Sequence, residues 1–293
     1  MNCPKSYPHV LKSISSFLLL IKDERIVMAV TLKIRDHFLW IWELLGGFRT
    51  DREYRVALER KRDISPYIQN EGLKVLDLAN GQLMPQYLIL KEQGDSVYGI
   101  DVINRRSRNS IDVLYAIARR VFIFHMHSYS HNNASTETLV CGDVSSLPYP
   151  NNYFDLATSI AAFEHFLDVP SVVADLWRVL KPGGLVYARI HLFTCPSGGH
   201  NLKLMEIPLR KVPKGVDAWD HLRKRRLPMT VPLNEWRIHQ YLEAFSKHFE
   251  ILKHYCAMRE GEHLLTPEIE AELADYSRDE LTCGAYVIVA RKH

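Results

Sequence analysis

The stretch that decides the fold is residues 75–81, Val-Leu-Asp-Leu-Ala-Asn-Gly, in which a short apolar run ends in a tight polar turn. The run predicts a buried strand over 73–78, and the turn leads into a predicted helix from about 83 to 93. Pro85 stands in the first turn of that helix and Gly94 lies just past its end, where these residues are favoured. Strand, turn and helix in this order predict the start of a βαβ unit.

The same alternation continues towards the C-terminus. Further strands are predicted at 96–101, 138–141, 154–160, 185–192, 249–256 and 284–291. Helices are predicted at about 51–64, at 110–120 and directly after the N-cap residue Asp168. We therefore expect an α/β, Rossmann-like, doubly wound and mostly parallel seven-stranded sheet with helices on both faces.

Two segments lie outside this alternation. Apolar residues recur at helical spacing (Ile34, Phe38, Ile41 and Leu45), which predicts an N-terminal helical extension within 1–50. Its amphipathic helix either covers an edge of the core or lies on a membrane surface. Residues 194–247 break the alternation and are expected to form a substrate cap inserted after the fifth strand. The main domain then spans 51–293, with a core at 73–193 and C-terminal strands within 249–291.

Composition narrows the function classes. The chain has 293 residues, 47% hydrophobic and 24% charged, which is ordinary for a globular protein. A net charge of +3 demands neither a nucleic-acid nor a membrane partner. No apolar run reaches the ~18 residues of a transmembrane helix. The five cysteines are widely spaced and favour free thiols over disulfides or zinc binding, so we expect a cytoplasmic protein.

Three carboxylates follow successive predicted strands: Asp77, Asp101 and Asp143. Because ligands of open parallel sheets bind beyond the carboxyl ends of the strands, these groups predict one crevice for a ligand rich in hydroxyls or amines. The alternative is that each aspartate merely caps the following helix. The turn at 79–84 contains one glycine, whereas a dinucleotide site uses three to admit a pyrophosphate. The predicted ligand is therefore a nucleoside without phosphates.

Several motifs occur in a fixed order: VLDLANG (75–81), GID (99–101), GDVSSLPYP (142–150), YFDLATS (153–159), EHF (164–166) and RVLKPGG (178–184). Together they resemble the class I S-adenosylmethionine-dependent methyltransferases over residues 73–193. The combination of the LPYP and KPGG motifs is similar to the branch that acts on small molecules, lipids and sugars. The chain departs from that family at Ala79 and Leu83, where glycines are usual.

The resemblance implies S-adenosylmethionine as cofactor and assigns its contacts. Asp77 would anchor the turn under the methionine part, Asp101 would accept the ribose hydroxyls, and Asp143 would accept the adenine amine. The remaining implied cofactor contacts are Ala79, Asn80 and Gly81 in the turn, Val102 and Val144 at the adenine, and Ile160 and Ala161 at the sulfonium.

Methyl transfer to a hydroxyl needs a general base, and histidine suits that role at neutral pH. His165, which follows the fourth strand, and His191, at the end of the fifth, are the catalytic candidates. The substrate candidates are His200, Trp219, His221 and Arg223, within a segment where basic residues outnumber acidic ones. The basic side chains of this segment either bind an anionic acceptor or form a solvated surface.

No metal site is predicted. His125, His127 and His131 lie close together in sequence but lack a fourth ligand. The predicted function is methyl transfer to a small-molecule, sugar or lipid-like acceptor, and the oligomeric state is not predicted. Leu83 leaves a catalytically weak or inactive cofactor-binding relative as one alternative. The other is an RNA methyltransferase that uses the basic segment. Thr194-Cys195 resembles one cysteine motif of RNA cytosine methyltransferases, although the companion Pro-Cys motif is absent.

Overall fold

A seven-stranded sheet organises the chain in the computed structural model, which describes residues 24–68, 71–103, 110–126, 137–201, 212, 216–229 and 231–293. The strands are β1 (Lys74–Leu78), β2 (Ser96–Asp101), β3 (Leu139–Cys141), β4 (Phe154–Ile160), β5 (Leu180–Ile190), β6 (Phe249–Arg259) and β7 (Cys283–Lys292). They lie in the order β3-β2-β1-β4-β5-β7-β6, with β7 antiparallel to both of its neighbours. The predicted α/β class and mostly parallel sheet are confirmed, and strand order reverses between β1 and β4.

The fifth strand begins at Leu180, where the sequence predicts a start at Leu185. Phe154 pairs with Leu180 and Leu156 pairs with Leu185, so the intervening residues bulge out of the ladder. Gly183 has a φ of 76° in this bulge, a conformation that favours glycine. The KPGG motif is therefore a bulge within β5 and not a turn before it.

Helices cover both faces of the sheet. They are α1 (Glu24–Leu45), α2 (Phe48–Ile64), α3 (Pro85–Glu92), α4 (Ser110–Phe124), α5 (Val169–Val179), α6 (Ile238–Ser246), α7 (Pro267–Glu272) and α8 (Arg278–Thr282). Val75 packs in one core cluster with residues of α2, α3 and α4, whereas Leu76 packs in another with α5 and α6. Because successive side chains of a strand point to opposite faces, the two clusters lie on the two sides of the sheet.

One interpretation of α1 expected its apolar stripe, which contains Phe38 and Leu45, to cover an edge of the core. The structure does not bury that stripe against the core. Phe38 and Leu45 are each 61% exposed, whereas Leu44 is buried and Trp40 packs against the cluster of α2–α4. The buried face is thus turned one position away from the predicted stripe. Among the described helices, none combines the length and apolar character needed to cross a membrane.

Candidate functional site

The carboxyl ends of β1, β2 and β3 meet at one edge of the sheet. Leu78 is in register with Ile100, and Asp101 is in register with Cys141. The backbone N–H of Gly142 donates to the carbonyl oxygen of Asp101 at 3.0 Å, which ties the loop after β3 to the end of β2. The three strand ends are therefore neighbours at one edge of the sheet.

The turn after β1 runs close to β2. Ala79 has a φ of 51° and its N–H donates to the Ile100 carbonyl at 2.8 Å. Asn80 lies across Gly99 so closely that a Cβ at Gly99 would be 2.1 Å from the Asn80 amide nitrogen. At Gly81, with a φ of 65°, a Cβ would meet nothing within 4 Å. The turn thus packs against β2 on one side and borders open space on the other.

Asp101 holds this turn in place. Its carboxylate accepts hydrogen bonds from the N–H of Gly81 at 2.7 Å and from the N–H of Ile103 at 2.9 Å. Asp77 is also buried, but it lies one residue before the end of β1, between Gly99 and Thr158 on the neighbouring strands. The two carboxylates therefore differ in position: Asp101 lies at the end of its strand and bonds to the turn, whereas Asp77 lies within β1.

Asp143 and Val144 begin the loop after β3. Asp143 is exposed and its carboxylate accepts from the N–H of Ser145 at 2.8 Å, whereas Val144 is buried. Arg178 of α5 fixes the far part of the loop by donating to the carbonyl oxygens of Leu147 and Tyr149 at 2.8 and 2.7 Å. The loop that carries two predicted adenine contacts is thus anchored to the following helix.

The space above the turn is not filled by Leu83, which is buried in the core cluster of α2–α4. Val102 is 76% exposed after β2, and Ala161 is exposed after β4 with a φ of 51°. Ile160 is half-buried, and the N–H of Ala161 donates to the Arg189 carbonyl on β5. A cofactor that lies over the ends of β1, β2 and β4 therefore fits the residues present.

A second group of polar side chains lies beyond the ends of β4 and β5, which adjoin in the sheet. We call it the histidine cluster, and its members are Glu164, His165, His191, Cys195, Ser197, His200 and Glu260. Glu164 and His165 belong to a short 3₁₀ helix after β4, and His191 directly follows β5. Glu260 follows β6 and joins the cluster through Ser197.

Hydrogen bonds connect most of the cluster. His191 Nδ1 lies 3.1 Å from His200 Nε2, and His191 Nε2 lies 2.8 Å from the hydroxyl of Ser197. Ser197 in turn donates its hydroxyl hydrogen to the carboxylate of Glu260. His165 Nδ1 donates to the Pro232 carbonyl at 2.9 Å, and its ring packs edge-on against His200 with centroids 4.8 Å apart. The two catalytic candidates and one substrate candidate are therefore brought together.

Glu164 is the most deeply buried acid of the cluster. Burial raises its pKa to about 8, and the backbone N–H groups of Glu164 and His191, with the charge of Arg189, oppose that rise only in part. Its Oε1 is 4.0 Å from His165 Nε2. A carboxyl with a pKa near neutrality beside two histidines is suited to proton transfer or to binding a cation.

The other substrate candidates make contacts within the fold. The Trp219 indole is buried and donates to the Leu281 carbonyl at 2.9 Å, and buried His221 Nε2 donates to the Phe193 carbonyl at 2.7 Å. Arg223 pairs with Glu272 at 2.6 Å. Their roles in binding substrate stay predictions.

Within the basic segment, residues 203–226, the other cations that the structure describes also have carboxylate partners. Lys224 pairs with Asp217, Arg225 with Glu235 and Arg226 with Asp217. Four other basic residues of this segment lie outside the described residues: Lys203, Arg210, Lys211 and Lys214. His127 and His131 also lie outside them. His125 is described, and its Nε2 contacts the Leu45 carbonyl at 3.1 Å.

Sequence reasoning missed Ser197 and Glu260 and gave Glu164 no chemical role. Glu260 is 63 residues from its partner Ser197, and no local pattern connects them. Glu164 stands next to His165 in the EHF motif, so a buried acid at the end of β4 was the available signal.

Comparisons of the sequence with known proteins find methyltransferases. Residues 76–188 match the protein-family model described as methyltransferase domain. A sterol 24-C-methyltransferase of Aspergillus fumigatus is 33% identical over 115 residues, which is 39% of this chain and 27% of that protein. A demethylmenaquinone methyltransferase of Anoxybacillus flavithermus is 29% identical over 167 residues, 56% of this chain and 61% of that protein.

Among solved structures, an S-adenosylmethionine-dependent methyltransferase from Mesorhizobium loti aligns with 80% of this chain and 96% of its own, at 20% identity and a TM-score of 0.48. The chain spans less than two thirds of the length of the curated relatives named above.

Proposed function

We propose that this chain, whose residues 76–188 form a class I S-adenosylmethionine-dependent methyltransferase domain, transfers a methyl group from that cofactor to a small-molecule or lipid-like acceptor. The observation that carries the proposal is the open turn at 79–81 held by the carboxylate of Asp101 at the shared strand edge. The sterol and menaquinone methyltransferases among the relatives support an acceptor of this class.

The strand-end residues would hold the cofactor. Asp101 would accept hydrogen bonds from the ribose hydroxyls, as acidic residues at this position of related sheets do. Exposed Val102 would pack against the adenine ring, and Asp143 with the N–H of Val144 would bind its polar edge. Ala161 would border the sulfonium. Asp77 would act from below, by supporting the turn that contains Ala79, Asn80 and Gly81.

Methyl transfer is an in-line displacement for which the bound cofactor supplies both the methyl group and the leaving group. The protein has to place the acceptor atom in line with that methyl, and positioning alone can lower the barrier by about 7–11 kcal/mol. The histidine cluster lies beyond β4 and β5, next to Ile160 and Ala161, where the acceptor would bind.

His165 is the general base of this proposal. Because its Nδ1 donates to the Pro232 carbonyl, the other ring nitrogen, Nε2, carries the lone pair and can take a proton from an acceptor hydroxyl. His191 would lie beside the acceptor, held in place by its contacts with His200 and Ser197. The proton of the hydroxyl would move to His165 as the oxygen bonds to the methyl carbon.

The alternatives receive less support. Leu83 lies in the core, so it gives no reason to expect a blocked or weakened cofactor site. For an RNA methyltransferase with a cysteine nucleophile, Cys195 would need a low pKa, but burial raises the pKa of its thiol well above the usual value.

The test combines the purified chain with S-adenosylmethionine and a panel of sterols, quinols, phenols and amines, and measures S-adenosylhomocysteine by mass spectrometry. We expect product with one acceptor class, and a fall in kcat of about 10²–10⁴-fold in His165→Gln. The matched control is His239→Gln, an exposed histidine of α6 that should leave the rate unchanged. Cofactor binding without product from any acceptor would favour the inactive relative, and no cofactor binding would overturn the proposal.

A further inference from the structure

Three side chains of the histidine cluster converge on one point. Glu164, His191 and His200 each offer one ligand atom, and these atoms lie within 4.8 Å of one another. Two of them, His191 Nδ1 and His200 Nε2, are only 3.1 Å apart. Ligand atoms of a tetrahedral zinc ion, with bonds of about 2.0–2.2 Å, are separated by about 3.4 Å. The pair of histidine nitrogens already has nearly the spacing that a metal ion requires.

The carboxylate of the group has little compensation from the protein. Glu164 is 1% exposed, and among the described residues neither of its oxygens has a hydrogen-bonding partner of normal geometry. A buried carboxylate in this state is costly unless it is protonated or bound to a cation. The ring of His165, whose Nε2 is 4.0 Å from Oε1, lies beyond hydrogen-bonding distance. A metal ion between Glu164 and the two histidines would supply the missing partner.

The outer contacts of His191 favour the protonation state of a metal ligand. Ser197 donates its hydroxyl hydrogen to Glu260, so the same hydroxyl can only accept from His191 Nε2. His191 therefore carries its hydrogen on Nε2, and its Nδ1 lone pair accepts a hydrogen bond from His200 Nε2. A bound metal ion would take the place of that shared hydrogen, with His200 protonated on Nδ1 instead. Histidines that bind metals are commonly oriented in this way, by a hydrogen bond from the other ring nitrogen.

We propose that Glu164, His191 and His200 bind one divalent transition-metal ion, Zn²⁺ in the first instance, with a fourth coordination position open to the acceptor. Two imidazoles and a carboxylate are borderline ligands that suit Zn²⁺ better than Mg²⁺ or Ca²⁺, and three protein ligands leave a position for substrate. The site departs from the sequence-based expectation that the chain binds no metal.

The use of this ion rests on the proposed methyl transfer. An acceptor hydroxyl bound at the open position would lose its proton more readily because the ion stabilises the resulting oxyanion. His165, packed against His200, would lie beside that oxygen and receive the proton. The inference therefore favours acceptors with a hydroxyl or enol over amines and unactivated carbon.

A second set of three side chains shares His191 and adds Cys195 and Glu260. It is the weaker candidate because it would use His191 Nε2, which is engaged with Ser197, although Glu260 Oε2 has no hydrogen-bonding partner among the described residues. A metal at that position would have to break the bond between His191 and Ser197. The two sets are distinguished by whether sulfur is a ligand.

The test titrates chelator-treated protein with Zn²⁺ in competition with a chelating dye, without S-adenosylmethionine. We expect one ion per chain, and binding at least ~100-fold weaker in Glu164→Gln, His191→Gln and His200→Gln. His239→Gln, on the exposed surface of α6, is the matched control and should bind as the unchanged chain does. Absence of stoichiometric binding, or binding unaffected by the three substitutions, overturns the proposal.

A spectroscopic measurement on the unchanged protein covers variants that fail to fold. Co²⁺ bound to imidazole and carboxylate ligands should show visible absorption without the near-ultraviolet charge-transfer band of a thiolate ligand. A thiolate band that disappears in Cys195→Ser would assign the ion to the second set and refute the proposal. Because these assays need no turnover, Zn²⁺ binding without methyl transfer would leave the site standing and remove only the proposed function.

Discussion

Removing the buried imidazole of His221 should change how the stability of the protein depends on pH. Burial lowers the pKa of His221 from 6.5 to about 4, with a smaller contribution from Arg225, and the Phe193 carbonyl and Asp220 oppose this only in part. The group is neutral in the folded chain at pH 7. Between pH 6.5 and 4 the unfolded chain binds a proton that the folded chain excludes, so the free energy of unfolding falls as the pH falls.

The gap between 6.5 and about 4 corresponds to about 3 kcal/mol, since one pKa unit is worth about 1.4 kcal/mol. Urea unfolding, followed by tryptophan fluorescence from pH 7 to pH 4, measures it. His221→Gln keeps a donor for the Phe193 carbonyl, and we expect it to be less stable than the unchanged chain at pH 7. That difference should shrink or reverse by pH 4, because other titrating groups are common to both chains. Two curves that fall in parallel would show that His221 does not contribute to the pH dependence of stability.

Two further substitutions test the turn after β1. Ala79→Gly should stabilise the fold by about 0.5–1 kcal/mol in urea unfolding, because glycine adopts the φ of 51° found at Ala79 without the Cβ clash; an unchanged or lower midpoint would contradict this. Leu83→Ala should cost about 2–5 kcal/mol of stability, since the side chain is buried in the core, and should leave the calorimetric affinity for S-adenosylmethionine unchanged. Tighter binding in that variant would mean that Leu83 obstructs the site.

Much of the fold follows from local sequence. β2 and β4 begin and end at the predicted residues, and Asp168 caps α5 by accepting from the N–H of Ser171. These elements are predictable because strand-length apolar runs and capping residues act within a few positions of the chain. The start of β5 at Leu180 could not be predicted from local sequence, because the bulge at 181–184 depends on pairing with β4.

The candidate site, like the fold, was only partly predictable from the sequence. The strand-end carboxylates were available from sequence because a parallel sheet brings successive strand ends to one edge. The burial of Trp219 and His221 could not be predicted from the sequence, because their hydrogen-bonding partners Leu281 and Phe193 lie 62 and 28 residues away. The exposed face of α1 was also missed, since periodicity gives the spacing of a stripe and not the neighbour that it meets.

We propose that Asp101 binds the ribose of S-adenosylmethionine at the shared strand edge. Calorimetric titration of S-adenosylhomocysteine into the unchanged chain and into Asp101→Ala tests it most directly, with Glu243→Ala on the exposed face of α6 as control. Loss of two hydrogen bonds to a carboxylate predicts binding roughly 100-fold weaker or more in Asp101→Ala, and no change in the control. Equal affinities in all three proteins, with circular dichroism showing each to be folded, would contradict the account.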